Sequence, residues 1–181
     1  NGTELHLTGD NLTDSSPVAK SITVNGNTQV STSVKKYGTG SIQFDGTGDY
    51  LDITGTAGLN FTNSDFTIEF WVYLNTNNSA FQAITDPRSS DSDNLPLVWI
   101  HSTGVVYYYA GGATRITGTT QLSPSQWYHV ALVRSGGTST LYLNGTSEGS
   151  FTDNLVYIQP TTFKLGQRYT GTAFNLDGYL D

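Results

Sequence analysis

The sequence predicts an all-β fold, a two-sheet antiparallel β-sandwich or jelly roll. Three observations carry this. Residues 65–74, DFTIEFWVYL, alternate without a break. Phe66, Ile68, Phe70, Val72 and Leu74 fall on one side, and Thr67, Glu69, Trp71 and Tyr73 on the other, the period-two pattern of a strand with one buried face. About a dozen short segments of this kind recur at spacings of roughly 8–12 residues with turn signals between them. No segment shows the 3.6-residue period of an amphipathic helix.

Along the chain, residues 4–7 form a short alternating run, followed by a polar turn segment, GDNLTDSSPVAK. Residues 21–24 read as a weak strand stopped by Asn25-Gly26, a tight-turn signal, and residues 30–34 are ambiguous. SIQFD (41–45) and YLDI (50–53) read as strands joined by a glycine-rich turn. After the central strand come a strand at 80–85 and a charged loop at 86–96. Residues 97–101 and 105–109 then form a hairpin. The register that sets Ile100 opposite Val106 and Val98 opposite Tyr108 keeps one face apolar and gathers Trp99, His101, Tyr107 and Tyr109 on the other. A second hairpin, 126–134 with 139–144, sets Leu132 opposite Leu141 and Val130 opposite Leu143, with Ala131 opposite Tyr142 on the reverse face. Residues 162–166 and 174–181 close the chain. No repeat or linker divides residues 1–181, which read as one domain.

Composition narrows the function. Lys+Arg of 8 against Asp+Glu of 15 gives a net charge of −7, which argues against nucleic acid, whose phosphates need a basic surface. Cys is 0, so there is no disulfide framework and no thiolate zinc site. Met is 0, so the chain is expected to be a piece of a longer one. No apolar run is long enough to span a bilayer, and no signal-peptide pattern is present. A Thr-, Ser- and Asn-rich, sparsely charged surface is expected outside cells. Sequons at Asn1, Asn11, Asn60, Asn77 and Asn144 would be glycosylated only in a eukaryotic secreted protein.

Several segments occur in a telling order: FDGTGDYLDI, DFTIEFWVYL, WYHVALVRSGGTSTLYLNG, KLG and FNLDGYLD, after an LHLTGDNLTDSS opening. Together they resemble the laminin-G-like branch of the concanavalin A-like lectin/glucanase superfamily over nearly the whole chain. The resemblance implies a concanavalin A-like jelly roll of two packed sheets, one of them curved. It also implies recognition of glycans or proteins at surfaces; similar domains serve bacterial surface proteins, phage fibres and capsid decorations. In that family the last strand runs on past DGYLD, whereas this sequence stops at Asp181. The last strand is therefore expected to lie against residues 4–7, and either a continuing chain or a neighbouring subunit is expected to complete the sheet.

The candidate ligand-binding residues are Trp99, His101, Tyr107 and Tyr109, with Asp91 and Asp93 in the adjoining loop. Aromatic rings stack on the apolar C–H faces of sugars while polar neighbours take the hydroxyls. Trp71, Tyr73 and Trp127 extend this aromatic set. The plainer reading is cross-strand packing. A retaining glycosidase needs two carboxyl groups roughly 5–5.5 Å apart. The glucanase relatives place two Glu and an Asp at alternate positions of one strand; here Glu69 stands alone between Thr67 and Trp71. No catalytic residue is assigned. His6, His101 and His129 show neither metal-ligand spacing nor a nucleophile elbow nearby, and are expected to satisfy hydrogen bonds or pack under aromatic rings.

Asp45, Asp49, Asp177 and Asp181 lie in turn-rich segments whose carboxylates and carbonyls suit Ca²⁺. The resemblance implies a structural Ca²⁺, with Asp49, Asp177 and Asp181 as metal candidates and the loop of Asp86, Asp91, Asp93 and Asn94 as a second place for one. The plainer alternative is Asx-turns. The expected function is non-enzymatic adhesion on a cell or virion surface, binding glycan or a surface protein. The alternative is a structural fibre or capsid protein that uses the jelly roll as a building block, with self-assembly or a coat-protein partner. A degenerate glycosidase is disfavoured by the missing carboxylate pair. Neither nucleic acid nor membrane insertion is expected.

Overall fold

The computed structural model describes residues 2–76, 80–171 and 174–181. The strands in chain order are β1 (Ser21–Asn25), β2 (Gln29–Ser31), β3 (Ser41–Asp45), β4 (Tyr50–Thr54), β5 (Phe66–Leu74), β6 (Gln82–Asp86) and β7 (Leu97–Ile100). They continue with β8 (Val105–Ala110), β9 (Ala113–Gln121), β10 (Trp127–Ser135), β11 (Thr138–Leu143), β12 (Thr146–Thr152), β13 (Phe163–Leu165) and β14 (Asp177–Leu180). All strand pairs are antiparallel. The first sheet runs β1-β4-β13-β6-β7-β8-β9 and the second β12-β11-β10-β5-β14-β3-β2. No helix occurs among the described residues.

Both expected hairpin registers are present. Ile100 faces Val106 and Val98 faces Tyr108. Leu132 faces Leu141, Val130 faces Leu143 and Ala131 faces Tyr142. Val72, Val130, Leu132, Leu141 and Leu143 are buried between the sheets, and Phe66, Ile68 and Phe70 pack half-buried against the same core. Each fully buried Leu or Ile contributes about 1.5–3 kcal/mol.

One polar group is built into this core. The Asp153 carboxylate accepts from Ser139 Oγ (2.6 Å), Tyr157 Oη (2.6 Å), Tyr108 Oη (3.2 Å) and the Leu155 N–H (3.1 Å), and its Oδ2 lies 3.5 Å from Arg134 Nε. Arg134 in turn donates to the Ser64 and Asp153 carbonyls at 2.9 Å each. The network ties β8, β10 and β11 to residues 153–157 and spreads a buried charge over many partners.

The N-terminal expectation needs correcting. Residues 4–7 do not form a strand. Asp14 gathers this region instead, accepting the N–H groups of His6 (2.9 Å), Ser16 (2.9 Å) and Lys20 (2.8 Å), while Leu5 and Leu7 rest on the core. The last strand, β14, lies inside the second sheet between β5 and β3, so it has partners on both sides without residues 4–7. Its close approach to β5 depends on Gly178: a Cβ there would lie 2.1 Å from the Tyr73 carbonyl oxygen. Beyond it, Asp181 and Trp71 exchange both backbone hydrogen bonds, at 2.8 and 3.1 Å.

Two strands escape sequence reading, β9 and β12, and each is an edge of its sheet. Glu148 on β12 fastens them together. Its carboxylate accepts the N–H groups of Thr119 (2.6 Å) and Thr120 (2.8 Å) and both hydroxyls. Of the sequons, Asn11, Asn60 and Asn144 are exposed, and Asn1 and Asn77 lie outside the described residues.

Candidate functional site

Alternation along β7 and β8 sends Val98, Ile100, Val106 and Tyr108 to the core and Leu97, Trp99, Tyr107 and Tyr109 to the outer face of the first sheet. Trp99 faces Tyr107 across the hairpin and Leu97 faces Tyr109. His101 follows β7 and stacks on Tyr107, centroids 4.7 Å apart. Two further rings join from outside the hairpin. Phe81 stacks on Trp99 at 4.9 Å, and Phe174 lies 5.8 Å from Trp99 and 5.3 Å from Phe81. The four expected ligand-binding aromatics thus share one face, and all are half-buried.

The charged loop meets this face through arginines. Arg88 is buried and grips Asp86 bidentately, Nε to Oδ1 and Nη2 to Oδ2 at 2.9 Å each. Burial pulls its pKa down, but the bond and charge of Asp86 outweigh that and the pKa is raised. Its guanidinium lies 5.3 Å from the Tyr109 and Tyr169 ring centres. Arg168 pairs with Asp91 and lies 5.3 Å from the Phe174 ring centre. Hydrogen bonds from Tyr169 and Arg168 hold the Asp91 carboxyl below the usual range. A cleft of about 110 Å³ opens between Arg88, Trp99, Tyr109, Arg168 and Phe174. The indole Nε1–H of Trp99 is buried with no hydrogen-bond partner among the described residues.

Asp93, also expected at the site, instead braces its own loop. It accepts from the N–H and Oγ of Ser89 and Ser90, at 2.6–3.0 Å. Burial pushes its carboxyl up, but the Ser90 and Ser89 donors outweigh that and bring it down to about 2.

The wider aromatic set does not form one patch. Trp71, Tyr73 and Trp127 lie on the outer face of the second sheet, the opposite side of the sandwich. There Tyr73 pairs with Trp127 at 5.5 Å and with Tyr179 at 5.6 Å. Trp71 lies 5.1 Å from His129 and meets Tyr37 edge-on at 5.8 Å. His129 Nε2 is 3.4 Å from Glu69 Oε2, so the central-strand acid has a partner. A cavity of about 470 Å³ lies here, its walls including His6, Asp10, Tyr37, Glu69, Trp71, His129 and Asp181.

The metal candidates are each engaged by donors of the chain. Asp49 is buried in a turn, accepting the N–H groups of Asn27 (2.6 Å) and Asp45 (2.9 Å). Asp177 accepts from Asn75 Nδ2 and Thr76 Oγ1 at 2.8 Å. Asp181, four residues on and hence roughly 13 Å along the strand, accepts the N–H groups of Lys36 and Tyr37 at 3.0 Å. Among the described residues no three His, Asp or Glu side chains come close enough to share an ion.

Two packed antiparallel seven-stranded sheets define a jelly-roll β-sandwich. The chain belongs to the concanavalin A-like lectin/glucanases superfamily, whose laminin-G family model matches residues 45–181. None of the curated proteins compared matches it in sequence. Similar solved structures include domain 4 of AbnA, a GH43 extracellular arabinanase from Geobacillus stearothermophilus, in complex with arabinotriose. It has 18% identity and a TM-score of 0.68 and covers 99% of this chain and 91% of that one. A botulinum neurotoxin type C structure, whose cell entry depends on interaction with two ganglioside molecules, has 13% identity and a TM-score of 0.69, covering 99% and 47%. The binding domain of botulinum neurotoxin DC in complex with SialylT has 15% identity and a TM-score of 0.67, covering 97% and 46%. The chain thus spans about half the length of these neurotoxin chains. At such identities the likeness is one of fold.

Proposed function

We propose that this domain binds carbohydrate, without catalysis, through the outer face of the first sheet, as a recognition module displayed outside a cell or on a virion. One observation carries the reading: Trp99, Tyr109 and Phe174 surround a cleft whose other walls are Ala83, Leu97 and two arginines, Arg88 and Arg168. The rings offer apolar surface to sugar C–H groups, and the partly exposed Arg168 guanidinium offers donors to hydroxyl and ring oxygens. Both arginines are already neutralised, Arg88 by Asp86 and Arg168 by Asp91, so the face suits a neutral glycan better than an acidic one. The arabinotriose bound by a similarly folded domain, domain 4 of AbnA, supports the class of ligand. Binding without hydrolysis is supported by Glu69, which pairs with His129 and alternates with Thr67 and Trp71 instead of a second acid.

A glycan array probed with the wild-type domain and with Tyr109→Ala and Arg168→Ala tests this. Neutral oligosaccharide spots that dim in both variants, each still unfolding in one cooperative transition, are the expected result. An array without binding, or binding indifferent to both substitutions, would contradict it.

A further inference from the structure

We propose that the Trp71 pocket on the second sheet is a separate binding site for an amino sugar, a saccharide with a free ammonium group. This site lies on the opposite side of the sandwich from Trp99 and does not depend on the reading given to that face. Its cavity, about 470 Å³, falls within the range of roughly 300–1,000 Å³ common to small-molecule sites. The cleft at Trp99 holds about 110 Å³.

The chemistry of the walls selects a cation. Lys36 Nζ already lies 4.1 Å from the centre of the Trp71 ring, so the ring face holds an ammonium supplied by the chain itself. Lys36 hangs on a flexible stem and can swing into solvent when a ligand ammonium takes its place. Three carboxylates, Glu69, Asp10 and Asp181, line the same cavity, and no arginine does. Each keeps one oxygen without a hydrogen bond among the described residues. Asp10 uses Oδ1 for Thr39 and Gly40, Asp181 uses Oδ2 for Lys36 and Tyr37, and Glu69 turns Oε2 to His129. His6, His129 and the Tyr37 phenol complete the titratable groups of the wall. The acceptors are spread around a sugar-sized space, which suits several hydroxyls and one ammonium.

Tyr37 supplies the apolar platform. It is 58% exposed and stands edge-on to Trp71, with Lys36 Nζ 5.7 Å from its ring centre, an accessible ring beside the cation position where a pyranose face can rest. The net charge of −7 draws cationic ligands toward the whole domain.

Calorimetric titration of the 181-residue chain with a glucosamine trisaccharide and with its N-acetylated counterpart tests the proposal, since acetylation replaces each amine by a neutral acetamide on the same sugar backbone. In neutral buffer of low ionic strength, the amine form is expected to bind about tenfold or more tightly, and to weaken with added salt. Glu69→Gln and Tyr37→Ala should each lower that affinity about fivefold without moving the melting temperature, and Lys36→Ala should raise it. Tyr109→Ala and Arg168→Ala, on the other face, should leave it unchanged. Equal affinity for the two trisaccharides, no binding of either, or a loss that follows Arg168→Ala in place of Glu69→Gln would overturn the proposal. A lysine-rich peptide that outcompetes the glucosamine trisaccharide would assign the pocket to protein amines and overturn it as well.

Discussion

The two outer faces of this sandwich carry similar residues and use them differently. On the first sheet the rings lean on one another: Trp99 meets Phe81, Tyr107, Tyr109 and Phe174, and its charged neighbours are paired off. On the second sheet Trp71 meets only Tyr37 and His129 among the described rings, carries a lysine, and opens onto a cavity several times larger. One face is a packed aromatic surface rich in donors, and the other an open pocket rich in acceptors. Counting aromatic residues on a face therefore says little about its ligand; what matters is how each ring face is already used.

The largest effect should ignore the distinction altogether. Asp153→Ala removes the centre of the network beneath both faces and leaves Arg134 buried without its partner, which should cost about 3–5 kcal/mol. Denaturant melts should show both faces lost in one transition. A separate, earlier loss of either would divide the sandwich into independent halves.

Alkaline pH should weaken the first sheet. Burial drives the Tyr108 hydroxyl up to about 12, and this residue lies on β8 between Tyr107 and Tyr109. Because the folded pKa is raised, the stabilisation is fully present below the unfolded value of about 10 and is lost as pH rises through about 12. A rise of this size corresponds to roughly 2–3 kcal/mol. Urea midpoints across that window should fall for wild type and fall less for Tyr108→Phe.

The tryptophans sharpen the comparison directly. Trp99→Ala removes the hub of the aromatic cluster and should cost about 2 kcal/mol or more, whereas Trp71→Ala should cost about 1 kcal/mol. Equal costs would mean that the two faces are packed alike. Smallest of all is the response to a chelator. With Asp49, Asp177 and Asp181 committed to N–H and hydroxyl donors, EDTA should move the melting temperature by less than about 1 °C. A clear drop would place an ion among these acids.

Much of this was legible in residue order. The alternation of β5 and the two hairpin registers follow from keeping one face apolar, and the structure matches them pair by pair. Alternation also says that Trp71, Tyr73 and Trp127 point away from the core. It does not say which of two outer faces receives them, because that depends on the sheet each strand joins. β9 and β12 were hidden because edge strands bury little and theirs are mostly Thr, Ser and Gly. Arg88, Arg168, Phe81 and Phe174 reach the Trp99 face from a strand end and from loops, where no period marks a side chain's direction. The wall formed by His6 and Asp10 depends on Asp14 gathering backbone N–H groups, a contact no spacing rule foresees.

The chain has three tryptophans, one of them on the first sheet's outer face and two on the second's, so their indole N–H signals report each face separately. Titrating the labelled domain with the best neutral glycan from the array and following these signals tests the central claim most directly. The Trp99 signal should shift and saturate while those of Trp71 and Trp127 stay in place. A Trp99 signal unmoved at saturating glycan, with Trp71 shifting instead, would contradict the assignment of glycan binding to the first sheet.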